Sequence, residues 1–372
     1  MLKKLYSILL TIIIFVVFCF EVKGFICDSK LDKDNVFFYM EEVLEGYMPF
    51  KTVFRETYGA TNLLLSPHHI SEITKDSDGF LEPMIWESYD IRNAESEIAK
   101  LKNVCDEVGS DFAYIAYPSK SDDENISGYN GWDTNSEESR AEFLSWLDEN
   151  DYNYLDVRRL FEADGYHVKD YFYKTDHHWT TEAGLYATRA MANYINNEFG
   201  YDMKVDNLDE DKFDYVTYDN LWLGETGRKM SKTWVGKLDS FTKITPKYDT
   251  SFEFSFVGDD VSTSGDFSMF IDETGLDGSQ DLYEYSAHYA YLGSEDKRVI
   301  CNKDVDGPKI LLIRDSFSTV VAPFLSLTTS EVVIWNPRSN PDGLLDYIRD
   351  NDFDVVLLAL TDYWSEEIWN FN

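Results

Sequence analysis

Residues 309–313, 331–335 and 354–360 are short, almost wholly apolar runs, separated by segments with helical spacing after Ser316 and over 343–349. A short run without polar alternation is the pattern of a strand buried on both faces. Strands of that kind belong to parallel sheets covered by helices. The same alternation occurs upstream. Ala94, Ile98, Leu101, Cys105 and Val108 predict a helix stopped by Gly109, residues 112–117 a buried strand, Ala141, Leu144 and Leu147 a second helix, and residues 154–157 a short strand. A further helix is capped by Thr180 or Thr181, carries Leu185, Thr188, Ala192, Ile195 and Phe199 on its inward face, and ends at Gly200. This is the pattern of an α/β fold with a parallel sheet.

Two regions break the pattern. Around Met40, Val43 and Leu44 the spacing is helical, with a break at Tyr47-Met48-Pro49-Phe50, so residues 25–93 are assigned to an N-terminal helical cap. Residues 230–299 alternate aromatic and polar side chains, as in Phe252-Glu253-Phe254-Ser255-Phe256 and His288-Tyr289-Ala290-Tyr291, and are expected to form an inserted β-rich element. The stripe at Phe252 to Phe256 reads as β core. The core domain is then 94–229 together with 300–372.

Residues 1–24 begin with Lys3 and Lys4 and continue through an apolar run over 5–20. They read as an export signal cleaved before Phe25, or as a retained anchor attaching the chain to a membrane through residues 5–20. Both readings put the rest of the chain outside the cytoplasm. The net charge of -36, from 69 acidic and 33 basic side chains, argues against nucleic acid as a partner and favours neutral or cationic glycans over anionic ones. Cleavage leaves Cys27, Cys105 and Cys301, whose spacing makes no zinc motif, and Cys105 on an apolar helix face reads as a buried free thiol.

Chemistry concentrates in two motifs. Thr175-Asp176-His177-His178-Trp179-Thr180 sets a carboxylate beside two imidazoles, and Arg314-Asp315-Ser316-Phe317-Ser318 sets a hydroxyl between an apolar run and a helix. A serine hydroxyl needs a base, and a carboxylate on the far nitrogen of a histidine fixes the tautomer that can serve. Ser316 is therefore the expected nucleophile, Asp176 the orienting acid, and His178 or its neighbour His177 the base. The backbone N–H of Ser316 is one oxyanion donor, and Arg338 and Tyr363 are side-chain donors on the later loops. A metal site from Asp176, His177 and His178 is a second reading. No metal or other cofactor is expected, because His68, His69, His167 and His288 form no further ligand cluster.

These motifs resemble those of the DHHW proteins, relatives of the SGNH-hydrolase-like alginate O-acetyltransferases. The Thr175–Thr180 run resembles the family signature, and Arg314 to Ser318 with Pro323-Phe324-Leu325 resembles its serine motif. Tyr47-Met48-Pro49-Phe50-Lys51, Asp78-Gly79-Phe80-Leu81 and Leu223-Gly224-Glu225-Thr226-Gly227 resemble other family segments, so the likeness spans residues 40 to 365. It implies a three-layer SGNH-like fold with permuted motif order, the aspartate–histidine element preceding the serine. It also implies that Asp176 and His178 complete the triad, with Asn336 to Arg338 and Thr361 to Tyr363 in the places of the two later blocks. Arg314 stands where the family has glycine, and no Gly-x-Asn occurs in the third block. The implied activity is that of an exported O-acetyltransferase or O-acetylesterase. Its partners would be a carbohydrate, an acyl donor and polysaccharide-export machinery. The alternative is a non-catalytic cell-surface protein that binds or assembles glycans.

Overall fold

The computed structural model describes residues 50–83, 90–120, 136–258, 261–292 and 297–361, together with Trp369 and Phe371. The chain divides into two compact units, residues 1–65 and 66–372. In the first, helix α1 (Lys51–Leu65) is described. The segment read as an export signal or anchor lies outside the described residues, as does Cys27. Among the described residues no helix is long and apolar enough to cross a membrane.

The second unit opens with three short antiparallel strands, β1 (His69–Ile70), β2 (Ile73–Lys75) and β3 (Leu81–Pro83). Residues 69–83 were expected to belong to a helical cap. Pro67, Gly79 and the turn at Ser71, whose φ is 51°, leave no uninterrupted stretch long enough for a helix there.

Next come α2 (Arg92–Val108), β4 (Asp111–Ala116), α3 (Ser136–Glu149), β5 (Tyr154–Asp156), α4 (Val157–Ala163), α5 (Val168–Tyr171) and α6 (Thr181–Phe199). The hairpin β6 (Phe213–Trp222) and β7 (Asp239–Pro246) brackets two short helices, α7 (Glu225–Met230) and α8 (Lys232–Val235). The remaining elements are β8 (Phe252–Phe256), β9 (Ser262–Gly265), β10 (Arg298–Asn302), β11 (Lys309–Arg314), α9 (Ser318–Leu325), β12 (Glu331–Trp335), α10 (Leu344–Asp350) and β13 (Val355–Leu360).

The central sheet has eight strands in the order β5-β4-β13-β11-β12-β10-β8-β9. The first five are mutually parallel, as expected, and the last three join antiparallel. The strands of 230–299 form no separate sheet. β7 pairs with β6, which precedes that segment, while β8 and β9 extend the central sheet through β10. The alternation at His288 to Tyr291 was expected to be β and is instead a 3₁₀ turn, Ala287–Ala290. Ala287 and Ala290 are buried, and so are His288 and Tyr291; both pairs repeat at the three-residue period of that helix.

Side chains of the parallel strands alternate between two cores. Ile310, Leu312, Val355 and Leu357 face α6 and α9, whereas Leu311, Ile313, Val356 and Leu358 face α2, α3 and α10. The result is three layers, with both faces of the sheet dry. Cys105 is a buried free thiol in the second core, and Cys301 is a half-buried free thiol.

Two caps set the helix that matters most. Thr180 accepts a hydrogen bond from the Ala183 amide at the start of α6, and Gly200 ends the helix in the left-handed conformation. A Cβ at Gly184 would collide with Val320 of α9. The bare glycine lets these two helices approach closely, which brings the loop before α6 against the turn before α9.

Candidate active site

Ser316 follows the carboxyl end of β11, where open α/β sheets present their ligands. Asp315 holds the turn. Its Oδ1 accepts from the Phe317 amide at 2.9 Å, and its Oδ2 accepts from the Thr361 amide at 2.6 Å and from the Thr361 hydroxyl, tying the turn to the end of β13. Ser316 is half-buried and keeps an ordinary negative φ, so the turn is held by side-chain hydrogen bonds without a left-handed residue.

His178 reaches Ser316 from 138 residues away. Its Nε2 lies 2.7 Å from Ser316 Oγ, and its Nδ1 lies 2.6 Å from Asp176 Oδ1. An ionised carboxylate only accepts, so Nδ1 carries the proton and Nε2 presents its lone pair to the hydroxyl. Asp176 Oδ1 also accepts from the His178 amide at 2.9 Å, and its Oδ2 accepts from the Glu225 amide at 2.7 Å. Burial raises the Asp176 carboxyl, but the adjoining His178 outweighs it and holds the group well below the usual range. Burial drives the His178 imidazole well below its ordinary value, with His177 and His288 acting the same way and Asp176 opposing. The imidazole is therefore neutral at neutral pH, the state a general base needs.

The loop carrying Asp176 and His178 is clamped from two sides. Lys120, buried, donates to the carbonyls of Tyr173, Lys174 and Asp176 at 2.6, 2.8 and 2.9 Å. Asp239 accepts from the amides of Lys174 and Thr175 at 2.7 and 2.8 Å and from the Thr175 hydroxyl at 2.6 Å. Burial lowers the Lys120 ammonium to about 8, against the pull of Asp239, Asp176, Glu82 and Asp76. Gly224 lies against the backbone of Thr175 and Asp176, with no room for a Cβ, and its amide donates to the Thr175 hydroxyl at 2.7 Å. This explains the segment Leu223 to Gly227: it supplies a close backbone approach and the donors that Asp176 and Thr175 need.

Residues 79–224 match the family model of the SGNH hydrolase-like domain of acetyltransferase AlgX. The solved structure of Bacillus cereus PatB1 with a sulfonyl adduct is similar over 81% of this chain and 98% of that one, at 19% identity and a TM-score of 0.65. A DHHW family protein from Eubacterium siraeum is similar over 80% and 94%, at 18% identity and a TM-score of 0.61. The fold is SGNH hydrolase-like. The resemblance read from the Asp176-His177-His178-Trp179 run is thereby borne out. No curated protein matches the chain.

Within the SGNH-like fold, two residues beside Ser316 were not singled out from sequence. His288 is fully buried and stacks on His178 with ring centroids 3.6 Å apart and planes 12° apart. Its Nε2 is 2.8 Å from the Ser316 carbonyl, which can only accept, so this nitrogen carries the proton; Thr319 Oγ1 lies 2.9 Å away. Burial lowers His288 to about 4, which keeps it a neutral ring against the base. The Tyr289 hydroxyl lies near the Ser316 side chain, its ring edge-on to His288 at 5.1 Å, and burial raises its pKa. Both residues come from the 3₁₀ turn, whose side chains would have pointed to alternate faces in the expected strand.

The other expected residues are placed as follows. His177 is part-exposed, its Nδ1 3.7 Å from Asp176 Oδ1 and 3.9 Å from Glu225 Oε2. Trp179 is buried and donates to the Phe317 carbonyl at 3.0 Å, joining the two motifs. Asn336 and Arg338 follow β12, beside β11; Asn336 Oδ1 accepts from the Arg338 amide at 3.1 Å, and Arg338 is exposed. Thr361 holds Asp315 as described, and Tyr363 lies outside the described residues. Arg314 is buried, donates to the Asp315 carbonyl at 3.2 Å, and is lowered by burial to about 10, which leaves it charged.

Asp176, His177 and His178 lie close enough to hold a metal ion. Both nitrogens of His178 and both oxygens of Asp176 are already spent on Ser316, on each other and on backbone amides. A cation here would have to displace the bonds that define the arrangement, so the donor set does not fit one.

Proposed function

We propose that the chain is an exported serine-dependent acyl-ester enzyme, an O-acetyltransferase or O-acetylesterase acting on an extracytoplasmic polysaccharide. The observation that carries this reading is the unbroken relay from Asp176 through His178 to Ser316, at 2.6 and 2.7 Å. Ser316 Oγ attacks the acyl carbonyl as its proton passes to His178 Nε2. Asp176 stabilises the imidazolium that forms. The tetrahedral oxyanion is met by the Ser316 amide and by the Tyr289 hydroxyl, with Asn336, Arg338 and Tyr363 as further proposed donors. His178 returns the proton to the leaving oxygen as the carbon–oxygen bond breaks. An acceptor hydroxyl, from sugar or water, then attacks the acyl carbon as its proton passes to His178, and His178 returns that proton to Ser316 Oγ as the acyl–serine bond breaks.

Two further observations support the reading. The matched family model is that of an acetyltransferase domain. A similar structure, PatB1, holds a sulfonyl adduct. Residues 1–24 supply the export signal or anchor, and the resemblance names polysaccharide-export machinery as a partner.

The test incubates the full-length protein with p-nitrophenyl acetate and a serine-directed phosphonate, beside Ser316→Ala, His178→Ala and Asp176→Asn. Turnover should fall by about 10⁴-fold in each variant, with phosphonate labelling confined to Ser316. Unlabelled Ser316, or turnover unchanged in Ser316→Ala, would leave the fold as a non-catalytic glycan-binding surface. Adding neutral oligosaccharide acceptors then separates transfer from hydrolysis.

A further inference from the structure

Along α6 lies an open cavity of about 810 Å³ to which Asp176, His178 and Ser316 contribute no lining. Its floor is one stripe of the helix: Glu182, Tyr186, Arg189, Asn193 and Asn197. At 1.5 Å per residue this stripe is about 22 Å long. Helix α4 and the loop after it form one bank, which ends at Tyr166. The 3₁₀ segments near Leu208 and Glu210 and the start of β6 form the other, with Tyr215. Both of these tyrosines are 43% exposed.

The aromatic bank is built before any ligand arrives. Tyr186 stacks on Phe161 with centroids 4.5 Å apart, and its hydroxyl donates to Asp164 at 2.6 Å. Tyr166 stands edge-on to both rings, at 6.0 Å from Phe161 and 5.9 Å from Tyr186. Rings held by their own packing lose little freedom on binding.

The lining mixes ring carbon with groups that both donate and accept hydrogen bonds. A pyranose chain has the same mixture, with C–H faces bordered by hydroxyls. An alkyl chain would strand the phenols, carboxamides and carboxylates without partners. A polyanion would meet Asp164, Glu182 and Glu210, opposed by Arg189, which is already paired with Asp209 at 3.0 Å.

We propose that this groove binds a neutral oligosaccharide, with Tyr166 and Tyr215 as the ring surfaces on which sugar units pack. The inference stands apart from the reading of Ser316. Binding is measured by calorimetry without an acyl donor, so its outcome does not depend on whether the serine reacts. The probes are cellohexaose, the N-acetylglucosamine hexamer and, as the anionic control, hexagalacturonate, titrated into the full-length protein.

At least one neutral probe should bind with millimolar or tighter Kd, about tenfold more weakly in Tyr166→Ala/Tyr215→Ala. Tyr166→Phe/Tyr215→Phe, which keeps the rings, should restore binding. Should the alanine pair melt early, Asn197→Asp, which puts a charge on the exposed helix face, should weaken binding instead. The proposal is overturned by absence of binding to both neutral probes, by preference for hexagalacturonate, or by affinity unchanged in the alanine pair and in Asn197→Asp.

Discussion

The two halves of the central sheet are built to different standards. In the parallel half β13 has no exposed residue, and β11 and β12 are buried after their first position; in the antiparallel half β8 is mostly half-buried and β9 largely exposed. The parallel half delivers chemistry through its strand ends, since Ser316 leaves β11 and Thr361 leaves β13. The antiparallel half delivers it through a connection, because His288 and Tyr289 lie between β9 and β10. Strand ends fix the reacting hydroxyl, while the connection lays a neutral ring and a phenol over it. The comparison shows that precision at this site is bought by burial in one half and by cover from the other.

The sharpest test of this contrast is to cut a large apolar side chain back to alanine in each half. Leu357→Ala, in the dry centre of β13, should cost about 2–5 kcal/mol in urea unfolding. Phe256→Ala, at the end of β8 and 42% exposed, should cost less than about 1 kcal/mol. Equal losses would mean that the antiparallel strands belong to the same packed core.

The second prediction concerns cover alone. Tyr289→Phe removes the hydroxyl at Ser316 and keeps the ring, so kcat for p-nitrophenyl acetate should fall about ten- to a hundredfold with the fold intact. A fall in kcat/KM with kcat unchanged would instead assign the hydroxyl to ground-state binding.

The smallest effect is on acid stability. His288 is lowered by burial from its ordinary value to about 4, so between about pH 6.5 and pH 4 the unfolded chain binds a proton that the folded chain refuses. Its contribution to stability is complete above that window and is lost as pH falls through it. His288→Gln, which keeps an N–H for the Ser316 carbonyl, should flatten the Tm-against-pH curve there by a few degrees. Some slope should persist, because His178 is depressed as well. A curve as steep as the wild type's would place the acid sensitivity elsewhere.

The same contrast governs what could be read from sequence. Strands buried on both faces leave uninterrupted apolar runs, so 331–335 and Glu331–Trp335 coincide, and 309–313 stops one residue short of Lys309–Arg314. Phe252 to Phe256 was legible as a strand, but its partners were not, because edge pairing is decided by distant β10. Asp176 and His178 were visible because a carboxylate and an imidazole two residues apart can meet within one turn. Lys120 and Asp239 were invisible for the opposite reason, and Gly224 stood out only as part of a family segment: each engages backbone of the 173–176 loop from far along the chain, and backbone has no sequence signature. His288 hid behind an alternation that fits a strand and a 3₁₀ turn equally well.

The contact of Gly184 with Val320 sets a dimension of the site. Asp176 and His178 are carried by the loop into α6 and Ser316 by the turn into α9, so the gap between His178 and Ser316 is gauged where two helices touch, at a residue with no side chain. Within the chain between His178 and Ser316, Glu225, Asp239 and His288 hold the two facing loops, and the Gly184–Val320 contact sets how far apart the helices carry them. Loops that carry none of these groups are free to lengthen or change in composition while the gauge stays constant, and a single added methyl at the joint would open the gap without altering Asp176, His178 or Ser316.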